Sequence, residues 1–179
     1  MRTGDLIPDQ LLDCLVAGVN LVPGTLRDQL GRDLTLLVFL RQLGCIFCRE
    51  TLSDMRALCE SDSDFPSPLF FFQGTATEGR VLLRRYWPEL RAVSDPTSEF
   101  YEAFGIRRGG LMKMLGPAVW SAKARAEEKG HRNGERVGDI WRMPGMYLVR
   151  GKEILWAHEY RHAADHPDYV SIREFAEGV

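Results

Sequence analysis

The stretch Phe39-Leu-Arg-Gln-Leu-Gly-Cys-Ile-Phe-Cys-Arg-Glu50 (FLRQLGCIFCRE) sets two cysteines three positions apart, just after an apolar run. Upstream, Leu34-Thr-Leu-Leu-Val-Phe-Leu40 is almost continuously apolar, with β-branched and aromatic residues. Such a run reads as a strand buried on both faces, as in a parallel or mixed sheet. Downstream the period changes. Cys48, Leu52, Met55 and Cys59 recur at helical spacing on one face, and Glu50, Asp54 and Glu60 fall off that face. Cys45 precedes the apolar face and stands at the helix N-terminus. Free backbone N–H groups and the positive end of the helix dipole favour a thiolate there. Arg41 and Arg49 add positive potential on either side. Cys48 belongs to the apolar face, where burial keeps a thiol protonated. One exposed low-pKa thiol and one buried partner give a nucleophile and a resolving group.

Composition bounds the setting. The chain has 179 residues, enough for one domain with an insertion. Hydrophobic residues make up 45% and charged residues 27%, which is ordinary for a globular protein with a real core. The net charge of -2 offers no basic surface to a phosphate backbone, so nucleic acid is not an expected partner. No apolar run approaches the roughly 20 residues that span a bilayer, so no membrane partner is expected either. Asp5, Asp9 and Asp13 interrupt the apolar stretch near the N-terminus, unlike a signal peptide. A reducing, cytoplasmic setting is therefore expected. There the four cysteines do not read as a disulfide framework, and a close pair reads as catalytic or metal-binding.

The remaining chain supplies the frame. Thr25 is placed to cap a short helix over residues 25–30. Leu69-Phe-Phe-Phe72 reads as a second buried strand, Thr75 to about Tyr86 as a helix, and Arg91-Ala-Val-Ser94 as a third strand. Asp95-Pro96 opens a helix from Thr97 to about Phe104, closed by Gly105. This β-α-β-α-β-α order predicts an α/β sheet. Residues 107–140 are rich in Gly and basic residues, with a helix expected from Ala118 to Lys129. They read as an insertion over one face or edge of the sheet, able to form a substrate lid, a dimer surface or both. Met143 to Val149 and Lys152 to Ala157, around Arg150-Gly151, predict an antiparallel hairpin. Tyr169, Ile172 and Phe175-Ala176 share one face of a last helix, with the Asp165-His-Pro167 turn as its cap.

Buried strand, Cys-x-x-Cys and amphipathic helix form the layout of thioredoxin-like redox sites. In that architecture a proline opening the third core strand is cis and faces the dithiol, a place that Met143-Pro144 fits. Other chemistry fits the sequence less well. A zinc site needs a second cysteine pair or a histidine pair at knuckle spacing, and Cys14 and Cys59 are each alone. His158-Glu-Tyr-Arg-His162 matches His-Glu-x-x-His, which on a helix would bind zinc with Glu159 as general base and His166 nearby. Its context is strand and loop. Along a strand the two histidines stand roughly 13 Å apart, too far for one ion.

FLRQLGCIFCRE, GGLMKMLGPAVW, RVGDIWRMPGMYLV and AHEYRHAADHPD together resemble the alkyl hydroperoxide reductase/thiol-specific antioxidant family. The branch they are most similar to is peroxiredoxin-like and carries Cys-x-x-Cys, that of selenoprotein L and the peroxiredoxin-like 2 proteins. The similarity runs from about residue 25 to 175. It implies a thioredoxin-like fold, a central mixed sheet flanked by helices, over one domain spanning 1–179. It also implies thiol-dependent antioxidant activity. Typical members have Thr-x-x-Cys with the peroxide-reducing cysteine second, which would be Cys48; the burial argument instead makes Cys45 the nucleophile.

The expectation is thus a thiol–disulfide oxidoreductase that reduces disulfides or hydroperoxides. Cys45 and Cys48 would form the redox-active disulfide. Arg41, Arg49 and Pro144 would support them, with a cis Met143–Pro144 bond and Pro144 packed close to Cys45. No cofactor and no metal are expected. The expected partners are an external donor, thioredoxin-like or a low-molecular-weight thiol, and a second copy in a homodimer. The alternatives are a redox-inert binding module on the same fold and, third, a zinc peptidase through His158, Glu159 and His162.

Overall fold

A computed structural model describes residues 1–179. The elements in chain order are α1 (Asp9–Leu12), β1 (Leu15–Val16), β2 (Gly18–Val19), β3 (Gly24–Thr25), α2 (Leu26–Leu30), β4 (Leu34–Phe39), α3 (Ile46–Ser61), β5 (Ser67–Phe72), α4 (Ala76–Leu83), β6 (Arg91–Ser94), α5 (Glu99–Ala103), α6 (Leu111–Leu115), α7 (Pro117–Glu128), β7 (Gly145–Arg150), β8 (Glu153–His158) and α8 (Tyr169–Glu177). The six-stranded sheet has the order β2-β6-β5-β4-β7-β8. β4 pairs in parallel with β5, and β5 with β6; β7, β8 and β2 add antiparallel strands at the flanks.

The continuous apolar runs have the meaning the sequence predicts. Leu36, Val38, Phe70, Phe72, Met146 and Leu148 face one core, under α3, α7 and α8. Their neighbours Leu37, Phe39, Leu69, Phe71, Tyr147 and Val149 face a second core, with α1, α2 and α5. A strand covered on both faces cannot alternate apolar with polar residues. Phe39 stacks on Phe71 at 4.3 Å and meets Tyr101 edge-on, and the Tyr101 hydroxyl donates to the carbonyls of Leu40 and Phe71. This hydroxyl binds β4 to β5 at the end that carries the cysteines.

Local signals set the helix ends. Thr25 with Asp28, and Thr75 with Glu78, form reciprocal capping boxes. The hairpin turns at Gly151, whose φ of 56° lies in the left-handed region that glycine tolerates. The last helix departs from expectation: its cap is Asp168, which accepts from the Val170 N–H. Asp165 is buried and instead binds the Arg161 guanidinium and backbone. The short strand β2, pairing with β6 at the sheet edge, also lay outside the sequence reading.

The insertion takes the form of α6, α7 and a strap of residues 131–142 without regular structure. It covers the start of α3 rather than a bare sheet edge. No helix is long and apolar enough to cross a membrane.

Candidate active site

β4 delivers the chain to a short loop, residues 40–45, and α3 starts at its end. Cys45 is the N-cap of α3. It offers no side-chain cap of its own. Asn133, from the strap, accepts from the Ile46 N–H at 3.2 Å in its place. The loop is tight: Gly44 N–H donates to Gln42 Oε1, and Cys45 N–H donates to the Gln42 carbonyl. The strap pins it from above through Leu43 N–H to Val137 O and Gly134 N–H to Gly44 O. Gly44 has to be glycine, because a Cβ there would run into the Glu135 carbonyl. Gln73, buried at the end of β5, donates to the Arg41 carbonyl and accepts from the Asp139 N–H, so one side chain holds loop and strap together.

Both sulfurs are buried, Cys45 at 2% and Cys48 at 5% exposure, so the expected exposed nucleophile is not found. Cys45 instead opens into a cavity of about 240 Å3 beneath α6, α7 and the strap. Cys48 lines a different and nearly filled cavity of about 10 Å3, shared with Thr51, Pro144, Tyr160 and His166.

Electrostatics separate the two thiols. Cys45 is brought down to about 6, first by a hydrogen bond from the Cys48 thiol, opposed by burial, then by the Arg41 charge and the N–H groups of Cys48 and Phe47. Arg41 Nη1 sits 3.5 Å from the Cys45 sulfur, and its Nη2 is anchored on the Ile140 carbonyl at 2.6 Å. Cys48 is pushed well above the ordinary thiol range, by burial first and then by the hydrogen bond it gives to Cys45. Cys59 is raised to about 11 by burial, and Cys14 lies exposed and far from the pair in sequence.

Two expected supports take different roles. Arg49 turns away from the thiols; its Nη1 donates to the Arg132 carbonyl at 2.6 Å, and its guanidinium lies over the Tyr86 ring. It fastens the strap to α3, and Arg41 supplies the charge at Cys45. The Met143–Pro144 bond is trans, as the chain contains no cis peptide. Trans is the lower-energy X-Pro form by about 0.5–1 kcal/mol, and β7 pairs fully with β4 from Gly145 onward without a cis turn. Pro144 still stands at the mouth of β7, where it lines the Cys48 cavity rather than the Cys45 cavity.

His158 closes β8 and its ring lies 2.8 Å from the Asp165 carbonyl oxygen; His162 lies in a loop, its Nδ1 accepting from the Ala164 N–H. The two histidines and Glu159 therefore do not share one turn of helix. His166 does something the sequence did not show. It sits 3.6 Å from Glu50, which is 1% exposed and also meets Arg125 at 3.1 Å and Lys129 at 3.1 Å from α7. Glu50 falls off the apolar face of α3 in sequence, yet α7 and the 162–167 loop bury it. Burial would raise its pKa, but His166, Arg125 and Lys129 overcome this and hold it well below the usual carboxylate range.

A protein-family model described as AhpC/TSA antioxidant enzyme matches residues 42–162. The chain belongs to the AhpC/TSA antioxidant enzymes. The match contains the dithiol, the insertion and the hairpin, and membership makes the protein a thiol-dependent oxidoreductase. A comparison with curated protein sequences gave no match. Among solved structures, the fold is similar to peroxidoxin BcpB from Mycobacterium tuberculosis, with TM-score 0.69 and 13% identity over 100% of this chain and 98% of that one. It is also similar to peroxiredoxin Q from Xanthomonas campestris, with TM-score 0.67 and 14% identity over 99% and 97%. Peroxiredoxin 5 from Alvinella pompejana matches with TM-score 0.65 and 14% identity over 100% and 99%. At these identities the likeness shows the fold, a peroxiredoxin-type arrangement of the thioredoxin-like architecture.

Proposed function

We propose that this AhpC/TSA protein is a thiol peroxidase in which Cys45 is the peroxide-reducing sulfur and Cys48 resolves it. Alkyl peroxide reduction is the activity named for the Xanthomonas campestris bacterioferritin comigratory protein, whose fold this chain shares. The observation that carries the assignment is the opposed environment of two sulfurs on one helix. Cys45 caps α3 beside Arg41 and opens to a cavity, and Cys48 lies one turn inside with its proton held. The family's usual order, with the reactive cysteine second, would require a thiolate at the position whose thiol is held protonated.

The chemistry follows from these positions. The Cys45 thiolate attacks the distal peroxide oxygen; the O–O bond breaks, Cys45 becomes a sulfenic acid, and the alkoxide leaves as an alcohol after taking a proton. Cys48 then attacks the sulfenic sulfur. The S–S bond forms, the S–O bond breaks, and hydroxide leaves with the Cys48 proton as water. Two electrons from an external thiol donor return the disulfide to the dithiol. Arg41 holds the thiolate and offers N–H donors where negative charge develops on the peroxide. A cytoplasmic, reducing setting, read from the cysteine usage, is part of the same proposal.

The test is a thiol count on the reduced protein before and after equimolar hydrogen peroxide, with mass spectrometry locating the change. Loss of two thiols within one chain, at Cys45 and Cys48, is expected. Retention of all four would instead support a redox-inert binding module on this fold.

A further inference from the structure

The cavity that opens on Cys45 is larger than a peroxide group requires. Its volume is about 240 Å3, yet the sulfur at its floor is 2% exposed. The strap and α7 form its walls, and the strap is fixed to the dithiol loop by backbone hydrogen bonds from Leu43 and to Gly44, and by Asn133. A folded protein presenting a cysteine on its surface cannot bring that sulfur to the floor of such a cavity without lifting the strap. A small molecule can.

The lining has a definite electrical character. Arg41, Lys123 and Arg136 contribute to it, and no carboxylate does. Lys123 pairs with Glu127 at 3.4 Å and lies 6.0 Å from the Trp120 ring, both outside the cavity, and so half-exposed a pair is weak enough to yield to an incoming carboxylate. Arg41 is committed to Cys45 and the Ile140 carbonyl, which leaves Lys123 and Arg136 as the cations at the walls. Ile46, Phe47, Met114, Leu115, Val119 and Trp141 give most of the surface as apolar area, which weakens solvent screening of the cations.

Building on the thiol peroxidase reading above, we propose that the Cys45 cavity is the docking site of the reductant, a low-molecular-weight thiol bearing carboxylate groups, which Lys123 and Arg136 recognise. The step balances as ordinary exchange. The small thiolate attacks the Cys45 sulfur of the Cys45–Cys48 disulfide, forming a mixed disulfide on Cys45. Cys48 leaves and takes a proton. A second small thiolate attacks the sulfur contributed by the first, releasing the Cys45 thiolate and a small-molecule disulfide. Attack falls on Cys45 because Cys45 is the sulfur that faces the cavity, while Cys48 lines the other one.

The experiment isolates the reduction half. Protein carrying the Cys45–Cys48 disulfide is prepared with diamide, so that it does not depend on peroxide activity. It is mixed with glutathione or with glutathione ethyl ester, which has the same thiol and one carboxylate fewer, and recovery of the dithiol is timed. The rate per thiolate should be several-fold higher for glutathione at low salt, and the advantage should shrink as salt screens it, by the usual behaviour of partly exposed charges. In Lys123→Glu/Arg136→Glu the ratio of the two rates should fall to about one or below, and in Lys123→Gln/Arg136→Gln it should fall part-way. The ratio compares two thiols on one folded protein, so a general loss of stability does not move it. A thioredoxin at equal concentration should reduce the disulfide more slowly than glutathione. Equal rates for glutathione and its ester, a ratio indifferent to both double variants, or faster reduction by thioredoxin would each overturn the proposal. Failure of hydrogen peroxide to oxidise the dithiol would count against the peroxidase reading alone.

Discussion

Cys45 and Cys48 are three residues apart on one helix, yet they occupy two differently built regions. Around Cys45 polar groups gather at the sulfur and the helix end: Arg41 from the loop, held by the Ile140 carbonyl, Asn133 from the strap, and the N–H groups of the first turn. Around Cys48 a nearly filled, mostly apolar cavity is lined by Val38 and Met146 from the sheet and by Leu40 and Tyr160 from the loops beside it. The first region stabilises a negative sulfur, and the second refuses one. A single turn of helix at the end of a buried strand thus divides two identical side chains into nucleophile and resolver, because the N-cap looks out along the helix axis and the first turn looks down into the core.

The sharpest way to break this asymmetry is to remove one sulfur at a time. Cys45→Ser should lower peroxide turnover by at least about a thousandfold, the scale seen when a catalytic nucleophile is lost. Cys48→Ser should still consume one equivalent of peroxide and then stall as a sulfenic acid, which a dimedone adduct on Cys45 would report. Stalling of the two variants in the reverse order would invert the roles.

The second prediction acts on the scaffold of the Cys45 region. Glu50 fastens α7 to α3, and its partners Arg125 and Lys129 are about half exposed, so water can solvate them when it is gone. Glu50→Ala should therefore cost about 1–3 kcal/mol, less than breaking a fully buried pair. The pH dependence has a definite sign. The carboxyl is depressed in the folded chain, so its contribution is present at neutral pH and is lost as pH falls below the ordinary value of 4.5. Denaturant melts of wild type and variant should converge in acid; a gap that widens there would contradict the assignment.

Arg41→Met sharpens the comparison by leaving both sulfurs in place. Its charge lies 3.5 Å from Cys45 and should matter by about one pKa unit, or roughly 1.4 kcal/mol. At pH 6.5 the thiolate fraction of Cys45 should then fall about threefold, read as the rate of iodoacetamide modification. Arg49→Met should leave that rate unchanged, since its guanidinium lies on Tyr86 and Arg132. At Gly44 the effect falls on the strap. Gly44→Ala drives a methyl into the Glu135 carbonyl, and overpacking of this kind costs about 1 kcal/mol or more. The strap should lift, and amide exchange at Gly134 and Leu43, whose N–H groups bond strap to loop, should quicken.

Much of this frame is legible in the sequence because it is local. Leu34 to Phe39 and Leu69 to Phe72 are apolar without alternation, which only a strand covered on both faces requires. Cys48, Leu52 and Met55 repeat at helical spacing, and Thr25 and Thr75 announce their helices with capping boxes. The site is less legible because its second half arrives from elsewhere. RNGERVGD, from Arg132 to Asp139, has no period of its own; its order comes from hydrogen bonds to loop and sheet more than 60 residues away in sequence. Glu50 looks like a solvated helix residue until α7 and His166 close over it. Arg41 and Arg49 are equal in sequence, and only the strap decides that one reaches the sulfur and the other the strap itself. At Pro144 the expected cis bond depended on a turn that β7 does not need, as its ladder with β4 begins at Gly145 from a trans peptide.

The central claim is that Cys45 carries the thiolate and Cys48 the proton. The most direct measurement is the pH dependence of iodoacetamide modification at each sulfur, resolved by mass spectrometry on the reduced protein. Cys45 should react first at every pH, with a midpoint near 6, and Cys48 should stay unmodified through neutral pH. Modification of Cys48 ahead of Cys45, or a Cys45 midpoint near the ordinary thiol value of 9.0, would contradict it.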